Sequence, residues 1–81
     1  MLVYARIQPF ALSQDLYLTD DEDNIVEQKS VPMNELKLEI QKYCQENNVE
    51  KIKISGNQDY LTKMAGDLMT KYNCKCPVEI I

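Results

Sequence analysis

A chain of 81 residues can bury one core but not two, so we expect a single domain spanning 1–81. Apolar residues make up 44% and charged residues 27%, the proportions of a folded globular protein, yet a formal charge of −4 argues against the broad basic face of a nonspecific duplex binder. No apolar run is long enough to span a bilayer, and no basic n-region precedes an apolar stretch. We therefore expect a cytoplasmic protein, without a membrane partner, that keeps Cys44, Cys74 and Cys76 as reduced thiols.

In chain order, Leu2 to Ile7 alternates and is rich in β-formers, which predicts a strand that Pro9 ends because it cannot donate to a ladder. Phe10 to Gln14 is expected as a loop with two apolar residues tucked under the sheet edge. A second strand is predicted over Asp15–Thr19, followed by a turn at Asp20-Asp21-Glu22-Asp23-Asn24, where Asp and Asn tolerate left-handed backbone. Ile25 to Val31 returns as a third strand and completes a meander.

The stretch Ser30 to Asn34 is expected to turn the chain into a first helix. Asn34, or the Ser30–Pro32 turn before it, serves as N-cap, and Glu35 sits at the positive end of the helix dipole. Leu36, Ile40, Tyr43 and Cys44 form its apolar stripe, and Asn47-Asn48 ends it with Asn as the left-handed C′ residue. The most telling segment is Val49 to Tyr72. A strand runs through Ser55-Gly56 into an Asn57 N-cap, then a helix with Leu61, Met64, Ala65, Leu68 and Tyr72 on one face. Asn73 closes this helix, and Cys76 to Ile81 reads as a last strand. The predicted order is β-β-β-α-β-α-β: an α/β (mixed α+β) domain with a five-stranded mixed sheet and two helices packed on it.

That order resembles the ribonuclease H-like fold. Members enter their first helix through a Glu-Leu pair, and Asn34-Glu35-Leu36 stands at that place. Their fourth strand ends in an acid before a Ser-Gln-type helix start, and Ile52-Lys53-Ile54-Ser55-Gly56-Asn57-Gln58-Asp59 is the matching stretch. The resemblance implies an Asp in the first strand, a Glu in the first helix and an Asp ending the fourth strand, together holding two Mg²⁺ ions that activate water. The chain departs from that set. Leu2 to Ile7 holds no acid, the fourth-strand position falls near Gly56, and Asp59 lies about a turn into the next helix. Glu35 alone cannot clamp two ions, so metal-dependent hydrolysis is not expected, nor any metal or other cofactor.

Other chemistry-bearing groups have ordinary explanations beside the functional ones. The acids Asp20, Asp21, Glu22 and Asp23 suit a solvated hairpin tip, with acidic docking or nucleic-acid mimicry as the functional counterpart. They lack the alternating ligands of a calcium loop. Three thiols without His fall short of a four-ligand zinc site, and the lack of His removes the usual activator of a nucleophilic Cys or Ser. Cys44 is expected in the core, with Cys74 and Cys76 as ordinary loop and strand thiols. Gly56-Asn57-Gln58 reads as a turn rather than an anion cradle. Lys51, Lys53, Lys63, Lys71 and Lys75 read as solvated charge. Among five tyrosines, Tyr60 lies off its helix stripe and is the first candidate for an exposed contact, joined by Tyr17 and Phe10.

The function expected is therefore non-catalytic. It is a protein-interaction module (adaptor, inhibitor or assembly subunit) that binds a protein partner or itself through a sheet edge or an exposed helix face. In style the chain resembles accessory proteins of bacteriophages or mobile elements. The alternative is a nucleic-acid-binding or weakly active metal-dependent nuclease relative using Glu35 with acids of the hairpin.

Overall fold

The computed structural model describes residues 1–8 and 11–81. Three antiparallel strands come first: β1 (Leu2–Arg6), β2 (Ser13–Thr19) and β3 (Ile25–Pro32). A 3-10 turn over Met33–Glu35 leads into α1 (Leu36–Glu46), followed by β4 (Lys51–Ser55), α2 (Gln58–Thr70) and β5 (Val78–Ile80). The five strands form one sheet in the order β3-β2-β1-β4-β5. The meander pairs are antiparallel, whereas the α1 crossover from β3 brings β4 back parallel beside β1, and the α2 crossover sets β5 parallel beside β4. The domain is α+β with a mixed five-stranded sheet, in the predicted element order. No helix among the described residues is long and apolar enough to cross a membrane.

Side-chain alternation decides which face the helices cover. Val3, Ala5, Ile7, Leu16, Leu18, Ile52 and Ile54 point to one side and are buried with Leu36, Ile40 and Tyr43 of α1 and Leu61, Met64 and Leu68 of α2. Both helices therefore lie on that side, and the opposite side of the sheet carries no layer among the described residues. The helices are also joined directly, Lys37 Nζ donating to Asp67 Oδ2 at 2.9 Å, and α1 is tied to the segment after α2 by Gln41 Nε2 donating to the Tyr72 carbonyl at 2.9 Å.

At the far end of β1, the chain continues the ladder with a side chain. The Gln14 side chain, buried in β2, accepts from the Gln8 amide and donates back to the Gln8 carbonyl. Gly56 lies beside this end. Its φ is +146°, and a Cβ there would sit 2.6 Å from the Ile7 carbonyl oxygen. Only glycine lets β4 turn into α2 so close to β1.

Several local expectations need correcting. The chain does not turn at Ser30. Strand β3 runs on to Pro32, so the predicted N-cap Asn34 falls inside the 3-10 turn and α1 starts without a side-chain cap. Asn47 ends α1 in extended backbone (φ −134°) rather than left-handed, its side chain donating instead to the Tyr43 carbonyl at 3.2 Å. Strand β2 begins two positions earlier than predicted, at Ser13, so Gln14 belongs to the sheet and not to a loop. Leu12 does not tuck under the sheet; it is 97% exposed. Strand β5 covers only Val78–Ile80, not the full Cys76–Ile81 stretch, and α2 ends at Thr70, leaving Tyr72 beyond it. Other readings match: Asn57 caps α2 by accepting from the Asp59 amide at 3.1 Å, and Asp23 and Asn73 adopt positive φ of 64° and 54°.

Candidate functional site

The uncovered face of the sheet is built by the residues between the core positions. Tyr4 of β1 stands directly opposite Tyr17 of β2, and their ring centroids are 5.8 Å apart at a 49° tilt. Such a tilted aromatic pair is a favourable arrangement. Both tyrosines are half-buried, and the Tyr4 hydroxyl lies 3.2 Å from Ser55 Oγ. With Arg6, Thr19 and Ile25 they line a shallow depression of about 350 Å³. Lys53 of β4 lies beside Tyr4 in the parallel register, and Lys51 of the same strand pairs with Glu79 at 3.1 Å.

Next to this face runs the longer of the sheet's two edges among the described residues. Strand β3 is paired to β2 on one side only, leaving an eight-residue edge open on the other. Its first part is bulged, because Thr19 faces Ile25 while Leu18 faces Glu27, so Val26 is the extra residue. Ile25 and Val26 are 57% and 54% exposed. Large apolar side chains on an open strand edge are unusual, since edges are commonly blunted with charge or proline. Here the charge sits further along: Lys29 bonds Glu39 of α1 at 2.6 Å and lies 4.6 Å from the Tyr43 ring centroid. The Glu39 contact raises the Lys29 pKa, and the same bond lowers that of Glu39.

The predicted interaction residues are scattered. Tyr17 belongs to the open face. Phe10 lies outside the described residues. Tyr60 is exposed, as its off-stripe position implies, but borders a separate cavity of about 320 Å³ with Ile7, Ala11, Met33 and Asn57. The acidic turn is largely occupied with itself. Asp20 accepts from the Glu22 and Asn24 amides, both at 2.9 Å, and the Asn24 amide is the chief cause holding its carboxyl below the ordinary range. Asp21 is 3.2 Å from the Met1 ammonium, while Glu22 and Asp23 are exposed. Glu35 is exposed in the 3-10 turn, and no group of three or more Cys, Asp or Glu among the described residues is arranged to hold a metal ion. The five lysines also do not gather: Lys51 and Lys53 lie on β4, Lys63 on α2, Lys71 at its C-cap and Lys75 in the following loop.

The sequence reading missed Tyr4 as the partner of Tyr17, and Ile25 and Val26 as exposed edge residues. Alternation of Leu2, Tyr4 and Arg6 against Val3, Ala5 and Ile7 contains the first signal. The cross-strand register needed to pair the two tyrosines does not lie in either strand alone. No family model matches the chain, and no curated protein or solved structure is significantly similar to it.

Proposed function

We propose that this domain is a non-catalytic protein-interaction module whose contact surface is the β3 edge with the adjoining open sheet face, and that its first partner is a second copy. The carrying observation is the eight-residue free edge with Ile25 and Val26 exposed at its start. Adding a strand to such an edge satisfies main-chain donors and acceptors while the side chains set specificity. The sequence of β3 is self-complementary in charge. Antiparallel pairing of two copies about Gln28 sets Glu27 of each copy opposite Lys29 of the other, a favourable cross-strand pair. A two-fold contact of this kind is the commonest way small domains associate.

The test is sedimentation of the purified chain from micromolar to millimolar concentration. The expected result is a species of twice the 9.4 kDa chain mass, reverting to monomer when Gln28→Pro removes an edge donor and Val26→Lys puts a charge in place of an exposed apolar edge residue. A wild-type chain that sediments as a monomer throughout would sink the self-pairing. A second reading, nucleic-acid binding, draws on Tyr4 and Tyr17 flanked by Arg6 and Lys53, since paired rings among cations suit stacked single-stranded bases. Adding a labelled single-stranded oligonucleotide at low salt separates the two: anisotropy rises under the second reading and stays flat under the first. The ribonuclease H-like kinship is supported by the element order alone, and the dispersed acids give its metal chemistry no assembled ligand set.

A further inference from the structure

Cys44 and Cys76 are thirty-two positions apart, yet their sulfurs lie 3.7 Å from each other. Cys44 projects from α1, and Cys76 lies in the segment that enters β5. That segment is held in place independently of the thiols. Asn73 reverses the chain in left-handed backbone, the Cys74 amide donates to the Leu68 carbonyl at 3.0 Å, and the Pro77 carbonyl accepts from the Ile52 amide at 2.9 Å. The two sulfurs are half-buried rather than sealed in the core. They line a cleft of about 520 Å³ with Gln41, Gln45, Val49 and Tyr72. Small oxidants therefore have a route to them, and the sulfurs need approach by only about 2 Å to reach bonding distance.

We propose that Cys44 and Cys76 form a reversible intramolecular disulfide, a modification site whose co-reactant is a hydroperoxide. The Cys76 thiolate attacks the terminal oxygen of the peroxide, the O–O bond breaks, and the released alkoxide or hydroxide takes up a proton. The sulfenic acid on Cys76 is then attacked by Cys44, whose thiol proton leaves with the displaced hydroxyl as water. Two thiols lose two protons and two electrons, and the hydroperoxide is reduced to water and an alcohol, or to two waters from hydrogen peroxide. Burial, with the adjacent Cys76 sulfur, raises the Cys44 thiol and makes it a slow first nucleophile toward peroxide, so Cys44 takes the second, intramolecular step, for which its sulfur is already placed 3.7 Å from Cys76. Cys74 also borders this cleft and its thiol contacts Cys44, but it is the most buried of the three, so it is the competitor over which the 44–76 pairing must prevail. The bond closes a long loop and ties the entry of β5 to α1.

The experiment exposes the native chain to stoichiometric hydrogen peroxide, alkylates the remaining thiols and measures intact mass and peptide linkage. We expect alkylatable thiols to fall from three to one, with a 44–76 linked peptide, a melting temperature raised on the order of 10 °C, and full reversal by dithiothreitol. Cys74→Ser keeps the linkage, and Cys44→Ser and Cys76→Ser each abolish it. In denaturant the preference for 44–76 disappears, which ties it to the fold. A native product joined mainly through Cys74, linked between chains, or over-oxidised without a cross-link overturns the proposal.

Discussion

Gly56 shows how a single residue type can be required by geometry alone. Its φ of +146° lies where L side chains rarely go, and the space a Cβ needs is taken by the Ile7 carbonyl of the neighbouring strand. Gly56→Ala therefore combines backbone strain with a backbone clash, and we expect a loss of about 2–3 kcal/mol, read as a lower urea midpoint. An unchanged midpoint would show that β1 yields easily at that end. From the sequence, Gly56 is legible as a turn residue, but its contact with β1 is not, because the approach depends on parallel pairing forty-nine positions away. Asn57 was readable for the opposite reason: a cap acts within its own turn. Asn34 was misplaced because pairing with β2 carries β3 on to Pro32, and tertiary pairing overrode a local capping preference.

At the scale of elements, helical periodicity was the most legible signal. The stripe Leu36, Ile40, Tyr43 is buried as spaced, with Cys44 only half-buried at its margin beside the C-terminal segment. Ile40 is fully buried between α1 and the sheet, so Ile40→Ala removes packed volume that a rigid sheet cannot refill. A cost of about 3 kcal/mol is expected. Against the roughly 4–12 kcal/mol ordinary for a domain of this size, that is a large share. Urea unfolding with an unchanged slope and a lower midpoint checks it. Strand boundaries were less legible. The helper ladder from Gln14 to Gln8 lengthens β2 beyond its apolar alternation, and Pro77 delays β5, whose pairing with β4 begins at Val78. The open face was invisible as a site because alternation says which residues leave the core, not whether another layer covers them.

For the whole molecule, charge pairs set the pH range of stability. Asp20, Glu39 and Asp67 are held below their ordinary values of 3.8, 4.5 and 3.8, chiefly by the Asn24 amide, Lys29 and Lys37 respectively. A depressed carboxyl stabilises the fold above its unfolded pKa, and that contribution is lost as pH falls through the folded value. Lys29 and Lys37 are raised above 10.5 by Glu39 and Asp67, so their contribution holds below 10.5 and disappears as pH climbs past their folded values. The melting temperature should be level between about pH 5 and 9 and fall below about pH 4. It should fall again above about pH 9, first because the buried Cys44 and Cys74 thiols are held above their ordinary 9.0, then past about 10.5 as the lysine pairs are lost. A chain that becomes more stable on acidification below pH 4 would contradict these pairings.

The two rims of the sheet are unequal, and the inequality limits how far backbone growth can go. On the β5 side the strand offers three residues, too few to template a lasting ladder; on the other side β3 offers eight. Once two β3 rims have met, only stubs face outward. On the proposed self-pairing, accretion stops at two, so the unequal rims predict a dimer rather than a fibre.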